Sequence, residues 1–116
     1  MSILSNFTTE SINDVFIVTV ELLQATIEQA SELNKLLLGA IEKGRHKIII
    51  EMKEVEYMDS TFLGALIINL KKVGSSGGKF MLVGLKPSVE TMVNQANLNK
   101  IFNIFESREE ALNNIQ

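Results

Sequence analysis

A chain of 116 residues, 46% of them hydrophobic, has enough apolar mass for one compact domain and too little for two ordinary ones. Its net charge of −3, with Lys and Arg scattered rather than clustered, gives no general attraction to a phosphate backbone and argues against nucleic acid as a partner. With no Cys and a single His, at position 46, it excludes disulfides and thiolate metal sites, and it cannot supply a two-His metal motif or a Ser-His-Asp triad unaided.

The opening MSILSNFTTES has neither the basic segment nor the long apolar core of a signal peptide. No apolar run approaches the roughly 20 residues of a membrane helix, so a cytoplasmic location without membrane contact is expected. ILSNFTTE (3–10), the connection SIND (11–14) and the β-branched, aromatic run DVFIVTVE (14–21) read as an antiparallel hairpin at one sheet edge. A helix follows, on the spacing of Ile27, Ala30, Leu33, Leu37, Ala40 and Ile41 as its apolar face, with Gly44 placed for a left-handed cap. Thr26 and Gln29 have capping-box spacing at its start. KIIIEM (47–52) is a short apolar run expected to be a buried strand.

Leu63, Leu66, Ile67, Leu70 and Val73 then repeat at helical spacing until GSSGG (74–78), which is read as a stop and a flexible turn. GSSGG is a poor phosphate loop, because it lacks the Lys and the helix start of one. KFMLVGL (79–85) reads as a strand, and Pro87 suits the first turn of a helix carrying Val89, Met92 and Val93. IFNIFES (101–107) is a candidate last strand, and Ser107 is placed to cap a short terminal helix. Met58 and Met81 are read as core residues in strand context. Lys71-Lys72 and Arg108-Glu109-Glu110 are read as solvated helix faces. The alternation of strands and helices predicts a single α/β domain over 1–116, with a mixed central sheet, an N-terminal antiparallel hairpin, parallel central strands and about four helices.

YMDSTFLGALI (57–67) puts an acid and two hydroxyls directly before the second helix. From the residues alone there are two readings. Asp59 or Ser60 accepts hydrogen bonds from unpaired N–H groups as an ordinary cap, worth roughly 1 kcal/mol. Alternatively, a hydroxyl exposed at that helix start is phosphorylated, where the positive dipole end tolerates the added charge. No base-nucleophile set or phosphate-binding glycine loop marks an enzyme, and no cofactor is expected.

VEYMDSTFLGALI resembles the phosphorylation segment of bacterial anti-sigma factor antagonists, the small STAS-domain proteins, in which Asp-Ser-Ser or Asp-Ser-Thr precedes Gly-Leu-Gly. Asp59, Ser60, Thr61, Leu63 and Gly64 match that pattern, and the likeness runs on through LVGLKPSV and LNKIFNIF. The resemblance implies that Ser60 is the phosphoacceptor and that Asp59, Ser60, Thr61, Phe62, Leu63 and Gly64 form the partner-binding segment. The implied partner is an anti-sigma factor that is also a serine kinase with a histidine-kinase-like ATPase fold, opposed by a serine phosphatase. It binds unmodified Ser60 and releases the phosphorylated form, which regulates sigma-factor-dependent transcription.

Three departures stand out. Phe62 occupies a position where the family commonly has Gly, and it reads first as core-facing and second as an exposed anchor for a partner. Val20-Glu21-Leu22-Leu23 stands where the family often has Gly-Glu-Leu-Asp, so Leu23 replaces an acid near the phosphorylation site. The segment between Glu21 and Leu33 also looks about one helical turn longer than usual. The alternative in another class is a non-switching STAS scaffold or stressosome-like interaction domain, in which Ser60 is only a cap.

Overall fold

A computed structural model describes residues 6–116. β1 (Phe7–Ile12) and β2 (Val15–Val20) pair antiparallel from Phe7 opposite Val20 to Ile12 opposite Val15. The connection is shorter than SIND: Ser11 and Ile12 belong to β1, and only Asn13 and Asp14 make the turn. Asn13 takes the left-handed conformation at φ 55°, which asparagine tolerates better than most residues. Residues 3–5 of the expected first strand lie outside the described residues.

The central sheet has the order β1-β2-β4-β6-β7, completed by β4 (Lys47–Glu51), β6 (Lys79–Val83) and β7 (Asn103–Phe105). All pairs after the hairpin are parallel. The three inner strands are buried on both faces, which is why they read as continuous apolar runs. Val18, Val20, Ile48, Ile50, Phe80 and Leu82 point to one face, covered by α1 (Ile27–Glu42), α2 (Ser60–Ser75) and α3 (Pro87–Gln95). Val15, Ile17, Ile49, Met81 and Val83 point to the other, where Ala111 of α4 (Arg108–Asn114) and Ile115 just beyond it close a smaller core. The sheet is therefore sandwiched, three helices against one.

The helix ends follow their sequence signals. Beyond α1, Gly44 sits at φ 84° and donates its N–H to the Ile41 carbonyl at 3.0 Å. α2 runs into the glycine stretch as far as Ser75 before the chain turns through Gly77 at φ 81°. At Gly78 a Cβ would collide with the His46 carbonyl oxygen, so the turn into β6 requires glycine. Ser107 Oγ accepts from the Glu110 N–H at 3.2 Å and starts α4. The last strand is only three residues long, because a turn of 3-10 helix over Leu98–Lys100 takes up the chain just ahead of it. Met58 and Met81 are core residues as expected.

Two further strands escaped the sequence. β3 (Gln24–Ala25) and β5 (Tyr57–Met58) pair in parallel as a separate two-stranded sheet.

Candidate functional site

The small sheet brings the starts of α1 and α2 together. The Leu23 carbonyl accepts from the N–H groups of Glu56 at 2.8 Å and Tyr57 at 3.1 Å, and the Ala25 carbonyl accepts from Asp59 at 3.0 Å. Farther along, Asn69 Nδ2 donates to Asn34 Oδ1 and to the Ala65 carbonyl, each at 2.8 Å, and joins the two helices through a buried amide. The helices therefore share both their origin and their packing.

Asp59 occupies the junction and caps both helices. Its Oδ1 accepts from the Phe62 N–H and its Oδ2 from the Ile27 N–H, both at 2.9 Å. Each helix start carries unpaired N–H groups and the positive end of a dipole, so one carboxylate neutralises two such ends. At α1, Gln29 Oε1 also accepts from the Thr26 N–H and hydroxyl, both at 3.0 Å. The capping work in Asp59-Ser60-Thr61 thus falls to the aspartate. Ser60 is the first residue of α2 and Thr61 the second; both are exposed, and among the described residues neither hydroxyl has a protein partner.

The expected partner-binding segment divides by helix face. Phe62 is 0% exposed, and Leu63 is also buried, both within the larger core. Their side chains are therefore not available to a partner, which corrects their place in that segment and leaves Phe62 in its core-facing role. The reason is periodicity: Phe62, Leu66 and Val73 share the face turned to the sheet, whereas Ser60, Thr61 and Gly64 lie off it. Ile27 is corrected in the opposite direction: expected on the apolar face of α1, it is 63% exposed, because the buried stripe of that helix runs through Ala30, Leu33, Leu37 and Ala40 and Ile27 lies to one side of it.

Gly64 is one turn beyond Ser60 on the same side of α2, and a Cβ there would meet no atom within 4 Å. Packing does not require a glycine at that point, yet glycine weakens a helix interior by roughly 0.5–1 kcal/mol relative to alanine. Gly64→Ala is expected to raise unfolding free energy by about that amount in urea titrations. A loss of stability would mean that packing at this point does require a residue without a side chain.

Arg108 is not part of a solvated face. Its Nη2 donates to Glu51 Oε1 at 2.7 Å, its Nε lies 3.3 Å from Glu51 Oε2, and Nη2 also bridges to Glu10 Oε2 at 3.1 Å. Thr19 Oγ1 donates to Glu51 Oε1 at 3.0 Å across the β2–β4 pair. Arg108, opposed by burial and helped by Thr19, holds the Glu51 carboxyl below its ordinary range. Sequence reasoning missed this cluster, although an acid at the end of KIIIE signals that a buried carboxylate needs a cation. A surface groove of about 1170 Å³ is lined by Lys53, Lys86, Glu90 and Glu106 among others and includes none of residues 59–64. It is wide, mixed in charge and separate from the helix junction.

Comparison with known proteins agrees with this architecture. The STAS domain family model matches residues 6–111. A Thermotoga neapolitana protein designated an anti-sigma factor antagonist is 35% identical over 94 residues, which cover 80% of this chain and 83% of that one. The crystal structure of a Thermotoga maritima protein of the same designation superposes with a TM-score of 0.85 at 32% identity, covering 94% of this chain and 93% of that one. The Bacillus cell fate determinant SpoIIAA in its phosphorylated form shares the fold, with a TM-score of 0.72 at 15% identity over 95% of this chain and 99% of that one. By sequence and by fold, this chain belongs to the STAS-domain family of anti-sigma factor antagonists.

Proposed function

We propose that the chain sequesters an anti-sigma factor while Ser60 is unmodified and releases it when Ser60 is phosphorylated. The observation that carries this reading is the division of labour at the junction. Asp59 takes the N–H groups of both helices and fixes the backbone, while the Ser60 hydroxyl stands exposed with no protein partner among the described residues. A hydroxyl that is not needed as a cap is free to react without unfolding its helix. The relatives are anti-sigma factor antagonists by designation, and one protein with this fold exists in a phosphorylated form.

In this reading the anti-sigma factor is also a serine kinase with a histidine-kinase-like ATPase fold. Ser60 Oγ attacks the γ-phosphorus of its ATP, a new O–P bond forms, ADP leaves, and the hydroxyl proton passes to a base on the kinase. The product carries about −1.5 to −2 charges at the start of α2. A hundredfold loss of affinity corresponds to about 2.7 kcal/mol, so a local change suffices. A serine phosphatase restores the binding form, and the cycle sets how much sigma factor is free for transcription.

The test is capture from the cells that make the protein, using wild type, Ser60→Ala and Ser60→Asp, with bound proteins identified by mass spectrometry. Wild type and Ser60→Ala are expected to retain an ATPase-fold kinase that Ser60→Asp loses. Recovery of the same partners by all three, or of other STAS-domain proteins alone, would sink the switch and favour the scaffold reading.

A further inference from the structure

β4 and β6 run parallel, so the connections from α1 to β4 and from α2 to β6 meet at one end of the sheet, opposite the helix junction. Both are short, residues 43–46 and 76–78, and hydrogen bonds tie them to their neighbours. The His46 carbonyl accepts from the Lys79 N–H at 2.7 Å, and the Val73 carbonyl accepts from the Gly78 N–H at 2.9 Å. The turn between β1 and β2 lies at the same end, since Val15 pairs with Lys47.

Cations that are scattered along the sequence gather here. Lys43 follows α1, Arg45 and Lys47 lead into β4, Lys71 and Lys72 stand in the closing turns of α2, and Lys79 begins β6 beside Lys47. They are six of the eleven Lys and Arg, whereas of the fourteen acids Asp14 and Glu42 alone lie at this end among the described residues. Asp14 and the Gln116 amide engage Lys47, each at 2.9 Å, and Glu10 of β1 is taken by Arg108. Arg45 has neutral partners: it donates to Ser11 Oγ at 2.8 Å and lies 5.3 Å from the centre of the Phe16 ring. Lys43, Lys71, Lys72 and Lys79 are exposed and make no ion pair among the described residues. Helix C-termini favour cations, which accounts for Lys43, Lys71 and Lys72 but not for Arg45 and Lys79, which precede or begin strands.

We propose that this end of the molecule is a docking face for an anionic lipid surface. Lysine is a compact, strongly hydrated charge, and a plane of anionic headgroups attracts it without a shaped site. Nucleic acids are read with arginine forks and stacked aromatic rings, and lysine is depleted from protein interfaces. Here the one arginine is committed to Phe16, and the exposed large apolar residues one turn back along the two helices are aliphatic, Leu38 on α1 and Ile68 on α2. Aliphatic side chains beside lysines suit the boundary between headgroups and acyl chains.

The net charge of −3 does not oppose this docking at moderate salt. The far end of α2 is roughly 22 Å away at 1.5 Å per residue, and the Debye length at 0.1 M salt is about 10 Å. Docking by this end turns Ser60 away from the surface, so the inference goes beyond the switch and stands or falls without it.

Vesicle flotation tests the proposal, with vesicles of phosphatidylcholine alone and of phosphatidylcholine mixed with phosphatidylglycerol, and with duplex DNA as a second ligand. Wild type is expected to float with the anionic vesicles alone and to be released at about 1 M salt. Lys72→Gln and Lys79→Gln are each expected to bind about fivefold more weakly, and the triple variant that adds Lys43→Gln about 100-fold. Lys53→Gln, beyond the opposite end of β4, is the control and is expected to bind as wild type. Because the chain has no Cys, a fluorophore on Ser75→Cys or on Thr61→Cys reports orientation. A nitroxide on the lipid headgroup is expected to quench the first and not the second. Melting temperatures show that each variant is folded, and the two single variants decide the matter if the triple variant is not.

Equal binding to both vesicle types, or no binding to the anionic ones, would overturn the proposal. So would single variants that bind as wild type, a Lys53→Gln loss as large as theirs, or equal quenching at the two labels. Binding to DNA that is tighter than to vesicles and lost with the same lysines would reassign the face to nucleic acid and overturn the lipid partner.

Discussion

Arg108→Ala is expected to lower the unfolding free energy by about 3–5 kcal/mol, a large part of the 5–15 kcal/mol of a typical domain. Glu51 is 6% exposed, on the sheet face shared with Ile49 and Ala111, and Arg108 supplies two of its three side-chain hydrogen bonds. Removing the guanidinium leaves a buried carboxylate with Thr19 as its remaining donor. Replacing both partners with methionine removes the uncompensated charge together with the pair and is expected to cost far less. Urea titrations of the single and double variants separate these cases, and equal losses in both would show that Arg108 acts through packing instead.

The same cluster sets a pH dependence. Glu51 titrates below its ordinary value of 4.5 in the folded protein, so the stability it contributes is fully present above 4.5 and is lost as pH falls through the lower folded value. Asp14, held low by its hydrogen bond to Lys47, acts in the same direction, although it is exposed and screened by solvent. In Arg108→Ala the lowering of Glu51 weakens, because the guanidinium hydrogen bonds that chiefly hold it down are gone while burial still opposes the charge, so protonation costs the variant less. The gap between wild type and variant should therefore narrow on acidification below about pH 4.5. A gap that stays constant with pH would remove Glu51 from the explanation.

Asp59→Ala carries the second large effect, a loss of about 2–4 kcal/mol, since two helix caps disappear with one side chain. Asp59→Asn keeps one carbonyl oxygen and is expected to lose roughly half as much. Thermal unfolding followed by circular dichroism reads both. An Asp59→Ala cost below about 1 kcal/mol would mean that one of the two helix starts does not depend on the carboxylate. Because the same residue fixes the backbone at Ser60, a binding defect in Asp59→Ala carries no information about partner contact unless stability is measured beside it.

Most of the scaffold was legible in the sequence because its signals are local. The inner strands are buried on both faces and read as unbroken apolar runs, the helices repeat at 3.6 residues, and Gly44, Pro87 and Ser107 mark ends by backbone chemistry that needs no tertiary information. The two-residue strands β3 and β5 are too short to show any period, so the frame that joins the two helix starts was invisible. Ile27 was misplaced because the buried stripe through Ala30, Leu33, Leu37 and Ala40 is narrower than the apolar spacing suggested. The double cap of Asp59 depends on a contact 32 residues away, and the Arg108–Glu51 pair on one 57 residues away. A charge run near the end of the chain looks solvated until its distant partner is placed.

The most direct test of the central claim is phosphosite mapping by mass spectrometry, after the purified chain is incubated with its captured anti-sigma factor and ATP. The account predicts one phosphate, on Ser60, with none on Ser60→Ala and with loss of the complex in step with its appearance. Phosphate on Thr61 or elsewhere, or no phosphate while the complex dissociates, would contradict it.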